Sequence, residues 1–552
     1  MTEILRDTYV DVDLQSLRFN MTAIHNQCKK DVAIMPVIKG NGYGHGAIGV
    51  ATALMESGAT YLAVATLIEA LELREAYPEY PLFILGHTPD RLLNKVIENN
   101  ITQTIFSLEQ AKLLSTLAEK ANVIAKVHLK VDTGFHRLGT YNEEELFQIC
   151  KLENLEVEGI FSHLALVNDE ENQKQYEMFT DILKRLESRG ISFKYKHICD
   201  SISLVDYPEY HMNMVRPGAL VFGLRGFHKG HIEVQQALRF ITHISQIHHV
   251  KEGEGVGYDY LWKAPKDTII GTLPFGYADG YPRNMRDKGY VTIRGIKCPI
   301  IGVICMDQCM VDLSNVPNAK EGEEAIIYGD GSKNTMDISE AAALAGTNKN
   351  EIVSRITARP PRVYHNSQGD LVRLLDLDED FIVDLKYSTA DNFTNNVIYT
   401  SNECYIHKNT AELLIKAKNK FKADGYRVKV WDAYRPISAQ RKFWEVMPNP
   451  DFVARPPEVN TNKKPRTNHL NGLCVDITLT DMDGNELEMP SEFDDFSEKA
   501  SLNCPDISAE GRKNAEYMKQ VMESVGFEGY SMEWWHFYDR KTPSTAFLDF
   551  QI

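Results

Sequence analysis

Eight short apolar runs, each followed by an amphipathic stretch, fill residues 32 to 224 and constrain the fold more than any other feature of the chain. They are Val32–Lys39, Tyr61–Thr66, Pro81–Gly86, Thr102–Phe106, Ile124–Val131, Val157–His163, Lys194–Cys199 and Met212–Val215. Helical periodicity is plain between them, in Leu67–Tyr77, Leu108–Ala121 and Asn172–Arg189. Apolar strands alternating with amphipathic helices make βα units on a parallel sheet, and eight units predict a closed (β/α)8 barrel of the TIM type. Chemistry in such barrels sits at the carboxyl ends of the strands. Lys39 ends the first run, His163 the sixth, Cys199-Asp200-Ser201 the seventh, and Arg216 follows the eighth.

At 552 residues the chain exceeds one core. From Leu238 the pattern changes to strands broken by glycines, as in Leu238–Ile247, Thr268–Pro274, Tyr290–Arg294 and Pro299–Leu313. We therefore expect a barrel over 1–237, a β-rich domain over 238–368, to which a strand near 7–13 can add, and a third, α+β domain over 369–552. The segment His365-Asn-Ser-Gln-Gly-Asp370 has the polar composition of a boundary, which a hairpin turn would share. Beyond it lie an amphipathic helix at Asn409–Asp424, a strand at Arg427–Trp431 and a helix near Ala509–Val525.

A net charge of −17 argues against nucleic acid or an anionic membrane as the main partner. Met1 to Asp13 carries charges and no apolar leader core, and no stretch reaches the roughly 18 apolar residues of a membrane span. A cytoplasmic protein is expected. The nine cysteines lie scattered in apolar surroundings and read as reduced core residues. Cys305 and Cys309 lack a second cysteine pair, which favours core packing over a metal site.

Lys39 stands in Val-Ile-Lys39-Gly-Asn-Gly-Tyr43-Gly-His-Gly, where an apolar strand meets a glycine-rich loop that opens a helix. A buried lysine can lose its proton and condense with an aldehyde cofactor, and loop amides with a tyrosine hydroxyl can hold a phosphate. A lone lysine here would ordinarily just snorkel. The full string resembles the pyridoxal-phosphate segment of alanine racemases. The resemblance runs from about Asp7 to His365, through His128-Leu-Lys130-Val-Asp132-Thr-Gly-Phe-His-Arg137-Leu-Gly, Phe161-Ser-His163-Leu-Ala, Asn213-Met-Val-Arg216-Pro-Gly218, Gly276-Tyr277-Ala-Asp-Gly280 and Cys305-Met306-Asp307-Gln-Cys309-Met310.

Racemisation needs two bases, one on each face of the α-carbon, and an electron sink, which pyridoxal phosphate supplies. The resemblance implies that Lys39 carries the cofactor and acts on the D-isomer. Tyr258, at the family's spacing before Tyr277, would be the base for the L-isomer. Arg216 would stand beside the pyridine nitrogen and keep it unprotonated, since a guanidinium cannot accept a proton. That disfavours transamination, and the carboxylate that related barrel decarboxylases place there is missing. Arg137 is implied to reach the cofactor's phenolic oxygen, and His163 to stack on its ring. Tyr43, Ser201, Gly218 and Ala219 are implied to hold the phosphate. Arg137, Tyr277, Met306 and Asp307 are implied to meet the substrate, and Lys130 matches a position that is often carbamylated. Two departures, Asp200 for a usual Asn and Ala358 for a usual phosphate-binding Tyr, point to weaker cofactor affinity.

The C-terminal segment carries a second constellation, Thr467-Asn-His469-Leu-Asn-Gly472-Leu-Cys-Val-Asp476 and Glu533-Trp-Trp-His536. His469, Asp476 and His536 make a three-ligand zinc site with an open fourth position, leaving Glu533 as the base for an activated water. His-x6-Asp alone is weak, and Trp-Trp-His alone fits an aromatic core. Together with Trp431-Asp-Ala-Tyr-Arg435-Pro they resemble the zinc D-alanyl-D-alanine dipeptidases associated with vancomycin resistance and peptidoglycan recycling, over about Asp376 to Ile552, including Lys386-Tyr387-Ser-Thr-Ala-Asp-Asn392-Phe393-Thr. Arg435 matches the arginine that stabilises the tetrahedral oxyanion. Thr467-Asn468 replaces the usual serine-rich segment.

The two resemblances together imply a bifunctional enzyme that cleaves D-Ala-D-Ala and interconverts L- and D-alanine, one product being the other's substrate. They also imply a homodimer with racemase sites shared between subunits. The alternatives are a serine or broad amino-acid racemase fused to a D,D-carboxypeptidase, or to a noncatalytic peptidoglycan-binding module. Glu533 and Arg435 beside the metal ligands speak against the last.

Overall fold

The computed structural model describes residues 4–450, 453–457, 469–543 and 547–552. Contacts among them divide at residue 365 into two compact units.

In the first unit every apolar run supplies one strand: Ala33–Ile34, Leu62–Val64, Leu82–Ile84, Thr102–Ile105, Ala125–Lys130, Leu155–Phe161, Tyr195–His197 and Met214–Val215. The six from Leu62 to His197 form one parallel sheet. Two seams close the ring. The first and last strands pair, Ala33 with Met214 and Ile34 with Val215, and Val37 bridges to Ala63. At the other seam the Arg216 N–H donates to the Cys199 carbonyl at 3.0 Å. Met35, Val37, Tyr61, Phe83, Phe161 and Met214 fill the interior, while Leu62, Ile84, Leu129, Leu114 and Phe179 belong to the larger core that includes the helices.

The link after Lys39 is a left-handed turn, with φ of 61, 52, 63, 50 and 80° at Gly40, Asn41, Gly42, Tyr43 and Gly44. Glycine and asparagine tolerate that region, whereas an ordinary L-residue such as Tyr43 loses about 1–2 kcal/mol there. Gly44 is fixed by crowding as well, because a methyl on it would lie 2.1 Å from the Val353 carbonyl oxygen. The right-handed helix begins only at Ala47.

Nine strands form the β-rich part, in the order 246–250, 268–273, 309–312, 296–301, 290–293, 324–328, 238–243, 9–13 and 362–365. Tyr9–Asp13 pairs antiparallel with Leu238–His243 and parallel with Arg362–His365, so the first strand of the chain lies in this sheet and not in the barrel. Two sequence runs read as single strands are each two. Leu238–Ile247 breaks at Ile244–Ser245, and its halves pair with different partners. Pro299–Leu313 reverses through 302–308, where Gly302 has φ 67°, so that Ile300 meets Val311. Apolar content marks both halves alike, and only the pairing reveals the reversal.

In the second unit the sheet order is 382–383, 427–432, 474–480, 533–539 and 527–530, with the first pair parallel and the rest antiparallel. The core includes Leu414, Phe421, Val428, Ile477, Met518, Met522 and Phe537, which joins helices Lys408–Ala423 and Ala509–Val525 to the sheet. Among the described residues no helix is long and apolar enough to cross a membrane.

Candidate active sites

Strand ends and their following turns assemble the first site. Lys39 is open to solvent on one side. Even so, partial burial and the Arg137 cation draw its pKa below the ordinary lysine value, against the pull of Glu69 and Asp200. Glu69 anchors the left-handed turn: one carboxylate oxygen accepts the Gly40 N–H at 2.6 Å, the other the N–H groups of Ala65 and Thr66 at 2.9 and 3.1 Å. Sequence reasoning missed Glu69, although Thr66-x-x-Glu69 is a capping-box signature.

Tyr43, Ser201, Gly218 and Ala219 do converge. A methyl at Gly218 would lie 2.6 Å from the Tyr43 hydroxyl, and Ser201 Oγ accepts the N–H groups of Gly218 and Leu220 at 2.8 and 3.2 Å. Ala219 opens the turn Ala219–Phe222, where a backbone N–H has no partner within the turn. The Tyr43 and Ser201 hydroxyls and the backbone at Ala219, clear of side-chain bulk at Gly218, fit a phosphate. Asp200 is held as a helix cap. Its Oδ1 caps its own helix, accepting Ile202 N–H, Ser203 N–H and Ser203 Oγ–H at 3.1, 3.0 and 2.7 Å. Ala358 is exposed and supplies no polar side-chain group.

Arg216 is buried in the barrel mouth. Its Nη2 donates to the carbonyls of Ser162 and Ile198 at 2.9 and 3.1 Å and approaches His163 Nδ1 at 3.4 Å. Its Nη1 donates to His197 Nδ1 at 2.7 Å. Arg137 is exposed, with its guanidinium 4.3 Å from the Phe135 ring centre. Lys130 is buried and donates to the Val131 carbonyl at 2.7 Å. Burial, then the Arg216 cation, brings its pKa down to about 7.

Tyr258, Tyr277, Met306 and Asp307 lie on the β-rich part. The Tyr277 and Ala278 N–H groups donate to the carbonyls of Cys305 and Met306 at 3.1 and 3.0 Å, which joins the two loops. Asp307 pairs with Arg359 at 2.8 Å. Tyr258 is 66 % exposed. It lines a cavity of about 940 Å³ with Tyr260, Cys305 and Met310, and none of Lys39, Tyr43, Arg137, His163, Ser201 or Arg216 lines it.

The second site is set by strand register. Asp432 pairs with Asp476, and Asp476 with His536, in a row across three antiparallel strands. His469 is brought in by the turn His469–Asn471. His469 Nε2 lies 3.2 Å from His536 Nδ1 and 3.2 Å from Asp476 Oδ2, and His536 Nδ1 lies 2.7 Å from Asp476 Oδ1. All three side chains are buried. His469 Nδ1 faces the Ala433 carbonyl at 2.5 Å, so its proton belongs there and Nε2 is left with a free lone pair. Two imidazoles and a carboxylate converging within 4.8 Å fit a tetrahedral zinc ion with one open position. Burial works against charge on Asp476, yet the flanking histidines hold its carboxyl well below the usual range.

Glu533 stands 3.9 Å from His536 Nδ1. Burial pushes its carboxyl up to about 7, although part of the side chain reaches solvent and His536 opposes the shift. Arg435 is aimed by Asp432, whose Oδ2 accepts its Nε–H and Nη2–H at 3.0 and 2.7 Å, and by Gln440 at 2.8 Å. Asp494, which sequence reasoning did not single out, accepts from the Tyr387 hydroxyl at 3.0 Å. Burial raises its carboxyl to about 7. Its only signal was an acid flanked by aromatics in Phe493-Asp-Asp-Phe496. All of these except Asp432 and Gln440 line one cavity of about 170 Å³ walled by Phe393, Phe443, Phe496 and Trp535. Thr467 and Asn468 lie outside the described residues.

Fold and sites define a two-part enzyme, a lysine-bearing barrel with a β-rich partner domain and, after it, a hydrolase-type metal centre. Family models agree. Those for the alanine racemase N-terminal and C-terminal domains match residues 12–226 and 237–364, and that for D-ala-D-ala dipeptidase matches 367–551. The chain belongs to the alanine racemase family and carries a dipeptidase-family domain in its C-terminal third. It is 39 % identical over 375 residues to the alanine racemase of Clostridium tetani, covering 66 % of this chain and 97 % of that one. Among solved structures, an alanine racemase of Clostridium difficile matches at 34 % identity and TM-score 0.64, over 66 % of this chain and 97 % of that one. One from Bartonella henselae with covalently bound pyridoxal phosphate matches at 26 % identity and TM-score 0.59, over 65 % and 99 %.

Proposed function

We propose that the chain is a bifunctional cytoplasmic enzyme: its barrel unit interconverts L- and D-alanine with pyridoxal phosphate, and its C-terminal unit hydrolyses D-alanyl-D-alanine with zinc. The observation that carries the hydrolase half is the single small cavity holding His469, Asp476, His536, Glu533 and Arg435. A noncatalytic binding module has no use for a buried carboxyl and a guanidinium aimed beside a metal triad.

In the racemase half, bound pyridoxal phosphate supplies an electron sink for the α-carbon. Lys39, its basicity lowered by its setting, holds or moves a proton on one face of that carbon, and Tyr258 serves the other. Arg216 keeps a fixed positive charge at the barrel mouth, and the Tyr43–Ser201–Gly218–Ala219 cradle holds the phosphate. Tyr258, Tyr260, Leu261, Tyr277 and Met306 are all exposed, and the Tyr258 cavity has no barrel wall. A second copy whose barrel covers that face accounts for both, which makes the racemase a homodimer with shared sites.

In the hydrolase half, bound zinc polarises the peptide carbonyl and lowers the pKa of water. Glu533 takes the proton of the attacking water and returns it to the leaving amine. Arg435, immobilised by Asp432 and Gln440, stabilises the oxyanion. Asp494 offers the ammonium of the dipeptide a carboxyl that the ammonium's own charge would draw into its ionised form. At about 170 Å³ the cavity falls below the roughly 300–1,000 Å³ of drug-sized sites, which favours a free dipeptide over a muropeptide. The nine free cysteines suit a reducing compartment.

The test is to incubate the zinc-loaded holoenzyme with D-Ala-D-Ala and follow free D- and L-alanine. D-alanine should appear first and L-alanine after it. Cleavage of muropeptides with D-Ala-D-Ala left intact would replace the dipeptidase reading by a carboxypeptidase, and preferential racemisation of serine would replace the alanine reading.

A further inference from the structure

Two histidines lie inside the barrel behind Arg216, both fully buried. His197 ends the strand Tyr195–His197, and His128 sits two residues before Lys130 on the strand Ala125–Lys130. His197 Nδ1 meets Arg216 Nη1 at 2.7 Å, and His197 Nε2 meets His128 Nδ1 at 2.9 Å. Proton positions along this chain follow from chemistry. A guanidinium has donors and no acceptor, so His197 Nδ1 must accept. The single proton of a neutral His197 is then on Nε2, which donates to His128 Nδ1. The proton of His128 is left on its own Nε2, which is buried without a partner among the described residues.

Both rings are built into place. His197 stacks on Phe161 with centroids 4.8 Å apart and planes at 6°. His128 packs on Phe83 at 4.7 Å, in a space that exists only because its cross-strand neighbour is Gly159. A methyl at 159 would lie 2.6 Å from His128 Nδ1. Burial and the Arg216 cation hold both imidazoles neutral, His128 down at about 3 and His197 far below its ordinary value. The guanidinium therefore carries the only charge of the relay. With Nη1 engaged by His197 and Nη2 by Ser162 and Ile198, the donors left over are Nε–H and one Nη1–H.

We propose that His128 is a positioning residue for the racemase: as the end acceptor of the Arg216–His197–His128 relay it locks His197 in the tautomer that accepts from Arg216, and thereby aims the remaining guanidinium donors at the cofactor ring nitrogen. The role at the ring rests on the racemase reading given above. The tautomer lock rests on the protein alone. Without that acceptor the His197 Nε2–H is left buried and unpaired, and moving the proton to Nδ1 relieves it only by breaking the contact with Arg216, so the guanidinium shifts and protection of the ring nitrogen weakens. Transamination then gains, alanine leaving as pyruvate while its amino group and electron pair pass to the cofactor.

His128→Asn and His128→Leu separate this role from packing, because Asn Oδ1 takes the place of Nδ1 as acceptor and Leu removes it. In the ¹⁵N-histidine-labelled dimeric holoenzyme, His197 should show protonated Nε2 and bare Nδ1 in the wild type and in His128→Asn, and mixed tautomers in His128→Leu. Pyruvate formed per racemisation turnover should rise about tenfold in His128→Leu, ~1.4 kcal/mol, and stay near wild type in His128→Asn. A wild-type His197 protonated on Nδ1 overturns the proposal even if His128→Leu fails to fold. So does a single unchanged tautomer in His128→Leu, or mixed tautomers with an unchanged pyruvate ratio. A wild-type protein that shows the tautomer pattern yet neither binds pyridoxal phosphate nor racemises alanine would instead overturn the racemase reading.

Discussion

Asp476 and His536 face each other across two antiparallel strands with their side chains 2.7 Å apart, and Asp432, the residue that aims Arg435, stands opposite Asp476 on the next strand. One sheet register thus aligns two members of the His469–Asp476–His536 cluster with the residue that holds Arg435. Glu533, three positions before His536, is outside the triad.

That separation predicts different losses for base and ligands. Glu533→Ala should retain zinc and lose hydrolysis, whereas His469→Ala, Asp476→Ala and His536→Ala should each lower metal content. Chelation should abolish hydrolysis and leave racemisation intact. Metal analysis beside dipeptide assays decides, and a Glu533→Ala protein as depleted of zinc as the ligand variants would remove Glu533 from the role of base.

Lys39→Ala should abolish the absorbance of lysine-bound cofactor and racemisation while D-Ala-D-Ala hydrolysis continues at the wild-type rate, because the two proposed chemistries use disjoint residues. Loss of hydrolysis in a folded Lys39→Ala protein would contradict this separation.

The proposed sharing of racemase sites between subunits predicts complementation. Co-expressed Lys39→Ala and Tyr258→Phe chains should form heterodimers with one doubly substituted site and one intact site, regaining racemisation that neither homodimer has. Dipeptide hydrolysis should be indifferent to mixing. Verified heterodimers without regained activity would place both bases in one chain.

Because Asp200 acts as a helix cap, Asn should replace it with little cost, the two being equivalent at that position. Asp200→Asn should change thermal stability by no more than ~0.5 kcal/mol, and cofactor affinity should rise slightly as a negative charge leaves. Asp200→Ala should cost about 0.5–2 kcal/mol through the lost cap. Thermal unfolding and cofactor titration of both variants test this, and a strong gain in affinity for Asp200→Asn would show that the carboxylate does oppose the phosphate.

The barrel, the β-rich part and the α+β unit were legible because they rest on local properties. Alternation of apolar runs with amphipathic stretches reports strand and helix, and the residues Gly40, Asn41, Gly42 and Gly44 suit a left-handed turn. Misread segments were those in which composition is blind to direction. Leu238–Ile247 and Pro299–Leu313 stay apolar through a reversal, so each looked like one strand.

The amino-acid sequence by itself determined the order of the motifs, the identity of the groups able to do chemistry, and the families to which both parts belong. Tertiary structure alone decided which of those groups share a space. His128 and His197 are 69 positions apart, and His197 and Arg216 are 19 apart, so their relay exists only once the barrel closes. Glu69 reaches Gly40 across 29 positions for the same reason. The physical cause is that propensity and turn chemistry act between neighbours in the chain, whereas hydrogen bonds between distant side chains depend on strand register and ring closure, which no local pattern encodes.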